Sequence, residues 1–229
     1  MSTNKTIVLS LGGSLIIPKT GFDVKFLKNF KKMILAQIKN GYRFIIVCGG
    51  GWTARQYQAA AREVGDLVPE DIDWIGIHTT RLNAHFMRTI FRDYANPVVI
   101  KNPTKKINWK EKVLVGAGWQ PGCSTDYDAV LIAKTYGAKT LINLSNIEYV
   151  YDSDPRTNPE AKKLVNVSWK DFRKIVGDKW IPGANFPFDP VAARGAEKMQ
   201  MKVVVMSGAN LIEVKKAIEG KKFIGTMIE

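Results

Sequence analysis

The sequence predicts an α/β protein built on a mostly parallel sheet with helices on both faces, a three-layer sandwich. Two patterns carry that expectation. Short apolar runs alternate with amphipathic stretches, and the runs are apolar throughout rather than at every second residue, as strands buried on both faces require. The first two runs also end directly in glycine clusters, Gly12-Gly13-Ser14 and Gly49-Gly50-Gly51. That is the end of a strand where open α/β sheets hold ligands.

Taken in order, strands are expected at 6–11, 43–48, 97–100, 112–115, 140–144 and 202–206, with a short last one near 223–227. Helices are expected at about 23–39, 53–64, 69–93, 125–136, 189–199 and 210–218. The helix from 69 opens with Pro69-Glu70-Asp71, a proline and two acids suited to a first turn. Between 146 and 185 the style changes. The run from Asp152 to Pro159 and the run Ile181-Pro182-Gly183-Ala184-Asn185 are loop chemistry, and long loops on a rigid sheet carry binding residues. One domain over 1–229 is expected, with two functional halves dividing near Gly118.

Composition narrows the class. Lys and Arg number 34 against 21 Asp and Glu, a net charge of +13. The excess forms no block or tail. Its densest stretch, Lys101, Lys105, Lys106, Lys110 and Lys112, is interrupted by Ile107 and Trp109 and reads as a solvated loop, so no nucleic-acid partner is expected. Two cysteines, Cys48 and Cys123, give no disulfide framework and suit a reducing compartment. No apolar run approaches the ~18 residues of a membrane helix, and Met1 to Lys5 lacks the apolar stretch of a signal peptide. A cytoplasmic protein with no membrane partner is expected.

The glycine turns carry the chemistry. Without Cβ atoms their amides can approach an anion closely, and a turn that opens a helix adds the helix dipole. Arg55 lies about one turn inside the helix after Gly49-Gly50-Gly51, placed to add a bidentate contact to the same anion. Neither turn fits the Walker or Rossmann pattern. A third polar turn runs from Gly116 to Asp126. There Ser124 and Thr125 either cap the next helix or face the ligand, and Asp126 either favours the first helical turn or orients a lysine or the water shell of Mg²⁺. His78 and His85 share a helix face but lack the spacing and partners of a metal pair, so packing or subunit contact is expected. Asp152 and Asp154 precede Pro155 and fit an ordinary turn as well as a cation site. Neither cysteine has a base beside it in sequence, and the six tryptophans read mainly as core or interface anchors.

With these blocks in place the chain resembles the amino acid kinase superfamily, in its uridylate (UMP) kinase branch of archaeal type. The resemblance rests on Gly12, Gly13 and Ser14; on Gly49, Gly50, Gly51, Ala54 and Arg55; and on Ile75, Gly76, Ile77, Thr80, Arg81, Asn83 and Ala84. It continues through Pro121, Gly122, Thr125 and Asp126, then Asn146 to Pro155, and finally Asp189 to Ala193. The blocks follow the family's order along nearly the whole chain.

The resemblance implies the amino acid kinase fold and transfer of the ATP γ-phosphate to UMP in pyrimidine nucleotide synthesis. It implies an acceptor half over about 1–118 and a nucleotide half over about 119–229. Gly12, Gly13 and Ser14 would hold the ATP phosphates, with Asn146, Tyr151 and Asp154 lining the adenine and ribose pocket. Gly50, Gly51, Arg55, Gly118, Pro121, Gly122, Ser124 and Thr125 would hold UMP. Asp126, Gly13 and Ser14 would form the reaction centre, with Mg²⁺ arriving with ATP and no metal held by the protein alone. A homohexamer built as a trimer of dimers is the family's usual assembly. One departure stands out: many members carry a lysine two residues before Gly12, where this chain has Ser10. Lys19 and Lys163 are the substitutes that loop position suggests, and Tyr149 replaces a glycine of the nucleotide loop. The resemblance leaves two alternatives, another phosphate-acceptor kinase of isopentenyl phosphate kinase type, or a non-catalytic nucleotide- or oxyanion-binding storage protein of the same fold.

Overall fold

A computed structural model describes residues 5–179 and 186–229. The Ile181 to Asn185 loop expected from sequence lies outside the described residues. In chain order the elements are β1 (Thr6–Leu11), α1 (Gly13–Ile16), α2 (Val24–Lys39), β2 (Arg43–Cys48), α3 (Gly51–Val64), α4 (Pro69–Ile90), β3 (Ala95–Ile100) and β4 (Val113–Gly116). They continue with α5 (Thr125–Tyr136), β5 (Thr140–Ser145), β6 (Val150–Tyr151), β7 (Lys163–Leu164), β8 (Asn166–Val167), α6 (Trp169–Val176), α7 (Pro190–Lys198), β9 (Lys202–Ser207), α8 (Leu211–Ile218) and β10 (Thr226–Ile228).

Eight strands form one sheet in the order β3-β4-β2-β1-β5-β9-β10-β8. All neighbours run parallel except β10 against β9. The strands alternate which face they fill. Leu9, Leu11, Phe44 and Ile46 join a core beneath α2, α4 and α8, and Val8, Ile45 and Val47 join a second core beneath α5, α6 and α7. Both faces are therefore covered, which is why the strands read as unbroken apolar runs. The helix starts are set by caps: Asp23, Ser124, Asp189 and Asn210 each accept a backbone N–H three residues on, satisfying an otherwise orphaned donor. Between 146 and 185, where the sequence reading assigned no strand or helix, the chain builds the β6–β7 hairpin, β8 and the helix α6.

The chain visits one side of β1 before the other. Strands β2, β3 and β4 lie on one side of β1, and β5, β8, β9 and β10 lie on the other, while β6 and β7 pair in a separate two-stranded sheet. The reversal puts a crevice at the carboxyl ends of the central strands. Two glycine turns close its floor by direct backbone contact. A Cβ on Gly13 would stand 2.0 Å from the Gly51 nitrogen, and one on Gly49 would stand 2.5 Å from the Gly13 nitrogen. Gly51 also has φ +68°, in the left-handed region that favours glycine. Hydrogen bonds from Gly12 N–H to Leu144 O (2.9 Å) and from Trp52 N–H to Ile17 O (2.9 Å) tie the first turn to β5 and to α3.

Gly13→Ala is therefore expected to lose at least about 3 kcal/mol, because backbone cannot yield as a flexible side chain would. Gly65→Ala is the control: its φ of −175° is extended and an added Cβ meets nothing within 4 Å. It should be neutral or gain about 0.4–1 kcal/mol. Urea unfolding of the two variants checks this, and equal midpoints would contradict the close approach.

Candidate active site

The crevice is a cavity of about 960 Å³. The glycine turns form its floor. Gly13, Ser14, Gly50 and Gly51 line it, and their amides have no backbone acceptor among the described residues. Asn83 on α4 sets their direction. Its Nδ2 donates to Gly49 O (2.8 Å) and Gly50 O (3.1 Å). Because a trans peptide carries its C=O and N–H on opposite sides, those two bonds turn the Gly50 and Gly51 amides away from α4. The result is a cluster of donors suited to an anion.

Of the residues singled out from sequence, Gly12, Gly13, Ser14, Gly50, Gly51, Arg55, Gly118, Ser124, Thr125, Asp126, Asn146, Tyr151 and Asp154 all line this one cavity. Pro121 and Gly122 stand in the turn beside the wall rather than on it, and the Gly122 amide donates to Asp73 Oδ2 (2.9 Å). Arg55 is exposed and forms no ion pair among the described residues. Ser124 Oγ caps α5 by accepting the Tyr127 N–H (3.1 Å). Asp154 is held by Arg156 through Nε and Nη2 (3.0 and 2.7 Å), with the Arg156 amide adding a third bond, and together they keep its carboxyl at about 2.

Asp126 has an unexpected partner. Ser10, at the position where lysine is common in the family, donates its hydroxyl to Asp126 Oδ1 (2.9 Å). Desolvation outweighs that bond, and with the nearby charge of Asp189 it raises the Asp126 carboxyl to about 6. Asp189 itself accepts the Ala192 N–H at 2.6 Å and has its other carboxylate oxygen buried without a partner among the described residues. Neither lysine suggested as a substitute lines the cavity. Lys19 lies over Trp52 (5.4 Å) and Lys163 over Tyr149 (5.0 Å), the latter a wall residue. The cationic wall groups are Arg55 and Arg156.

Several wall residues went unread in the sequence. Gln58 on α3, Asp73 on α4 and Asn143 on β5 all reach the cavity. Thr80, named only as part of a motif, holds the Gly118 amide at 2.8 Å, and Asp128 accepts the Trp119 N–H at 3.1 Å. Arg81 does not itself line the cavity; it donates to Gly118 O (3.3 Å) and Trp119 O (2.9 Å) behind the wall. His78 and His85 are exposed and away from the wall. Burial lifts the Cys123 thiol to about 11, which keeps it protonated and a poor nucleophile. No group of three or more His, Cys, Asp or Glu gathers as a metal site among the described residues, and no described helix is long and apolar enough to cross a membrane.

Comparison with known proteins agrees with this geometry. The model of the amino acid kinase family matches residues 5–207. The uridylate kinase of Methanospirillum hungatei is 33% identical over 226 residues, covering 97% of this chain and 94% of that protein. The uridylate kinase of Sulfurisphaera tokodaii is 34% identical over 230 residues, covering 97% and 98%. The crystal structure of uridylate kinase from Archaeoglobus fulgidus superposes with a TM-score of 0.83 at 31% identity, covering 97% of this chain and 99% of that one. The glycine turns, the strand order and the full-length likeness lead to one assignment: this chain belongs to the amino acid kinase family.

Proposed function

We propose that this chain is a UMP kinase, transferring the γ-phosphate of ATP to UMP to give UDP and ADP. The observation that carries the reading is the pair of glycine turns in backbone contact, which presents two sets of amides to one cavity. Full-length likeness to archaeal uridylate kinases supports the choice of acceptor.

The acceptor half is read as about 1–118 and the nucleotide half as about 119–229. Gly12, Gly13 and Ser14 hold the ATP phosphates, while Asn146, Tyr151 and Asp154 take the nucleoside of ATP. Gly50, Gly51 and Arg55 hold the phosphate of UMP, with the turn from Gly118 to Thr125 beside its nucleoside. An oxygen of the UMP phosphate, already ionised, attacks the γ-phosphorus. The bond from that phosphorus to the β,γ-bridging oxygen breaks, and ADP leaves with the electron pair. No side-chain nucleophile or strong base is required, so the protein's work is alignment and charge neutralisation.

The residues fit Mg²⁺ delivered with ATP. Mg²⁺ is a hard cation that keeps its waters and is held through one or two carboxylates plus substrate phosphates. Asp126 offers such a carboxylate on the cavity wall, beside the unpartnered oxygen of Asp189. Held there, the ion would supply positive charge to the phosphates of ATP. Ser10 fixes the rotamer of Asp126 so that its carboxylate faces the reacting groups.

A coupled assay with ATP, Mg²⁺ and a panel of UMP, CMP, GMP, isopentenyl phosphate and acetylglutamate tests the reading. UMP should be the acceptor that yields ADP, and absence of turnover with every acceptor would overturn it. Arg55→Ala should raise KM for UMP about 10- to 100-fold, the loss of a charge-assisted bidentate contact. KM for ATP should stay within about twofold, and equal losses for both would contradict the assignment of that turn.

Asp126→Asn should lower kcat at least about tenfold. It should also change stability with pH in a stated direction. A carboxyl raised to about 6 from 3.8 favours the fold fully at low pH and loses that contribution as pH rises through 6. Asparagine does not titrate, so relative to wild type the variant should gain stability between pH 5 and pH 8. About 2–4 °C in Tm is expected, the shift that ~1 kcal/mol makes in a chain of this size. Melting curves that stay parallel across that range would return Asp126 to a helix-start role.

A further inference from the structure

Neither Arg81 nor Asp128 lines the cavity and no hydrogen bond joins them, yet both act on the same dipeptide. Every backbone polar group of Gly118-Trp119 is taken by a side chain. The Gly118 amide donates to Thr80 Oγ1 at 2.8 Å, and that hydroxyl spends its own hydrogen on Ile77 O at 2.7 Å. The Gly118 and Trp119 carbonyls accept from Arg81 Nε (3.3 Å) and Nη2 (2.9 Å). The Trp119 amide donates to Asp128 Oδ2 at 3.1 Å. A Cβ on Gly118 would stand 2.9 Å from Thr80 Oγ1, so the turn lies flush on α4.

Three of these bonds come from α4 and one from α5. The dipeptide is thus a strut between two helices, and each helix carries wall residues next to its clamp. On α4 these are Asp73, Gly76, Ile77 and Thr80, and on α5 they are Thr125 and Asp126. The strut sets the gap between them. Its cost is visible in Asp128, whose Oδ1 is buried without a partner among the described residues. Native interiors rarely leave such an atom unless the group is needed where it stands.

We infer that Arg81 and Asp128 are positioning residues that hold the Gly118-Trp119 strut and thereby fix the width of the acceptor side of the cavity. The inference rests on the reading of that side as the UMP site. It assigns Arg81 an effect on the acceptor without contact to it.

Steady-state kinetics of Arg81→Ala, Arg81→Lys, Asp128→Ala and Asp128→Asn test this, with KM measured separately for UMP and ATP. Arg81→Ala and Asp128→Ala should each raise KM for UMP about tenfold, as loss of charge-assisted bonds does, and leave KM for ATP within about twofold. Asp128→Asn keeps an oxygen for the Trp119 amide and should recover most of the loss seen in Asp128→Ala. Arg81→Lys supplies one donor in place of the fork and should recover little. If both KM values move together, or if both stay at the wild-type value while only the yield of active enzyme falls, the positioning role is wrong. Should Asp128→Ala fail to fold, the two Arg81 variants, on a half-buried side chain, decide the matter. A wild type that ignores UMP overturns the substrate reading alone, and the same KM comparison with the acceptor it does use then decides the positioning role.

Discussion

The structure depends on two glycine turns lying in contact with no side chain between them. Neighbouring strands β1 and β2 end at Leu11 and Cys48 in register, about 4.8 Å apart as parallel strands are. Turns that leave two such strands on the same side must collide or interleave. Gly13 and Gly49 let them interleave: the Gly13 nitrogen occupies space where a Cβ on residue 49 would be, and the Gly51 nitrogen occupies the space of a Cβ on residue 13. The consequence reaches beyond packing. Two phosphates held by adjacent turns can be brought within reacting distance only if the turns themselves touch, and in-line transfer tolerates little misplacement. The close approach thus serves the fold and the proposed reaction through one constraint.

Charge takes a particular arrangement at the proposed phosphate site. The floor has a hydroxyl, Ser10, where a fixed cation is common in the family, and that hydroxyl is bonded to Asp126. The donors on the cavity wall are the Gly50 and Gly51 amides, without a backbone acceptor among the described residues, together with Arg55 and with Arg156, whose charge is already shared with Asp154. Burial raises the carboxyls of Asp126, Asp128 and Asp189, and a neighbouring carboxylate adds to the rise at two of them, Asp189 at Asp126 and Asp126 at Asp128. In the proposed reaction a divalent ion held by Asp126 would favour the ionised carboxylate, so the absent lysine and the raised carboxyls belong to one electrostatic arrangement.

Much of this was legible in the sequence because local and global signals agree. The apolar runs of β1 and β2 match their observed ends, and Asp23, Ser124, Asp189 and Asn210 cap helices where cap chemistry is strongest. Helix α6 was missed although its signals are present. Ser168 caps it, Trp169, Phe172 and Val176 form its buried stripe, and Gly177 ends it with φ +76°. Its eight residues sit between two loop-rich stretches, and their composition masked the period. Ser10 and Asp128 were unreadable for a different reason. A serine on a strand and a second aspartate in a first helical turn have ordinary local explanations, and only the fold brings Ser10 to Asp126 or the Trp119 amide to Asp128. The same holds for Arg81, whose partners are carbonyls 37 and 38 residues away.

Helix α4 emerges as the part that organises the proposed acceptor side. It reaches three segments through side chains: Asn83 to the Gly49 and Gly50 carbonyls, Thr80 and Arg81 to Gly118-Trp119, and Asp73 to Gly122. The two Asn83 bonds end on backbone carbonyls, and this is what leaves the Gly50 and Gly51 amides free of α4. A glycine turn left to itself would satisfy its carbonyls with water and rotate its peptides. Fixing the carbonyls against a 22-residue helix orients the opposite N–H groups before any anion arrives. Donors oriented in advance lose little entropy on binding and need no reorganisation as charge develops. The motif Thr80-Arg81-Leu82-Asn83 therefore acts from behind in two ways: Asn83 grips the carbonyls of the turn whose Gly50 and Gly51 amides face the cavity, and Thr80 and Arg81 hold Gly118-Trp119 in place.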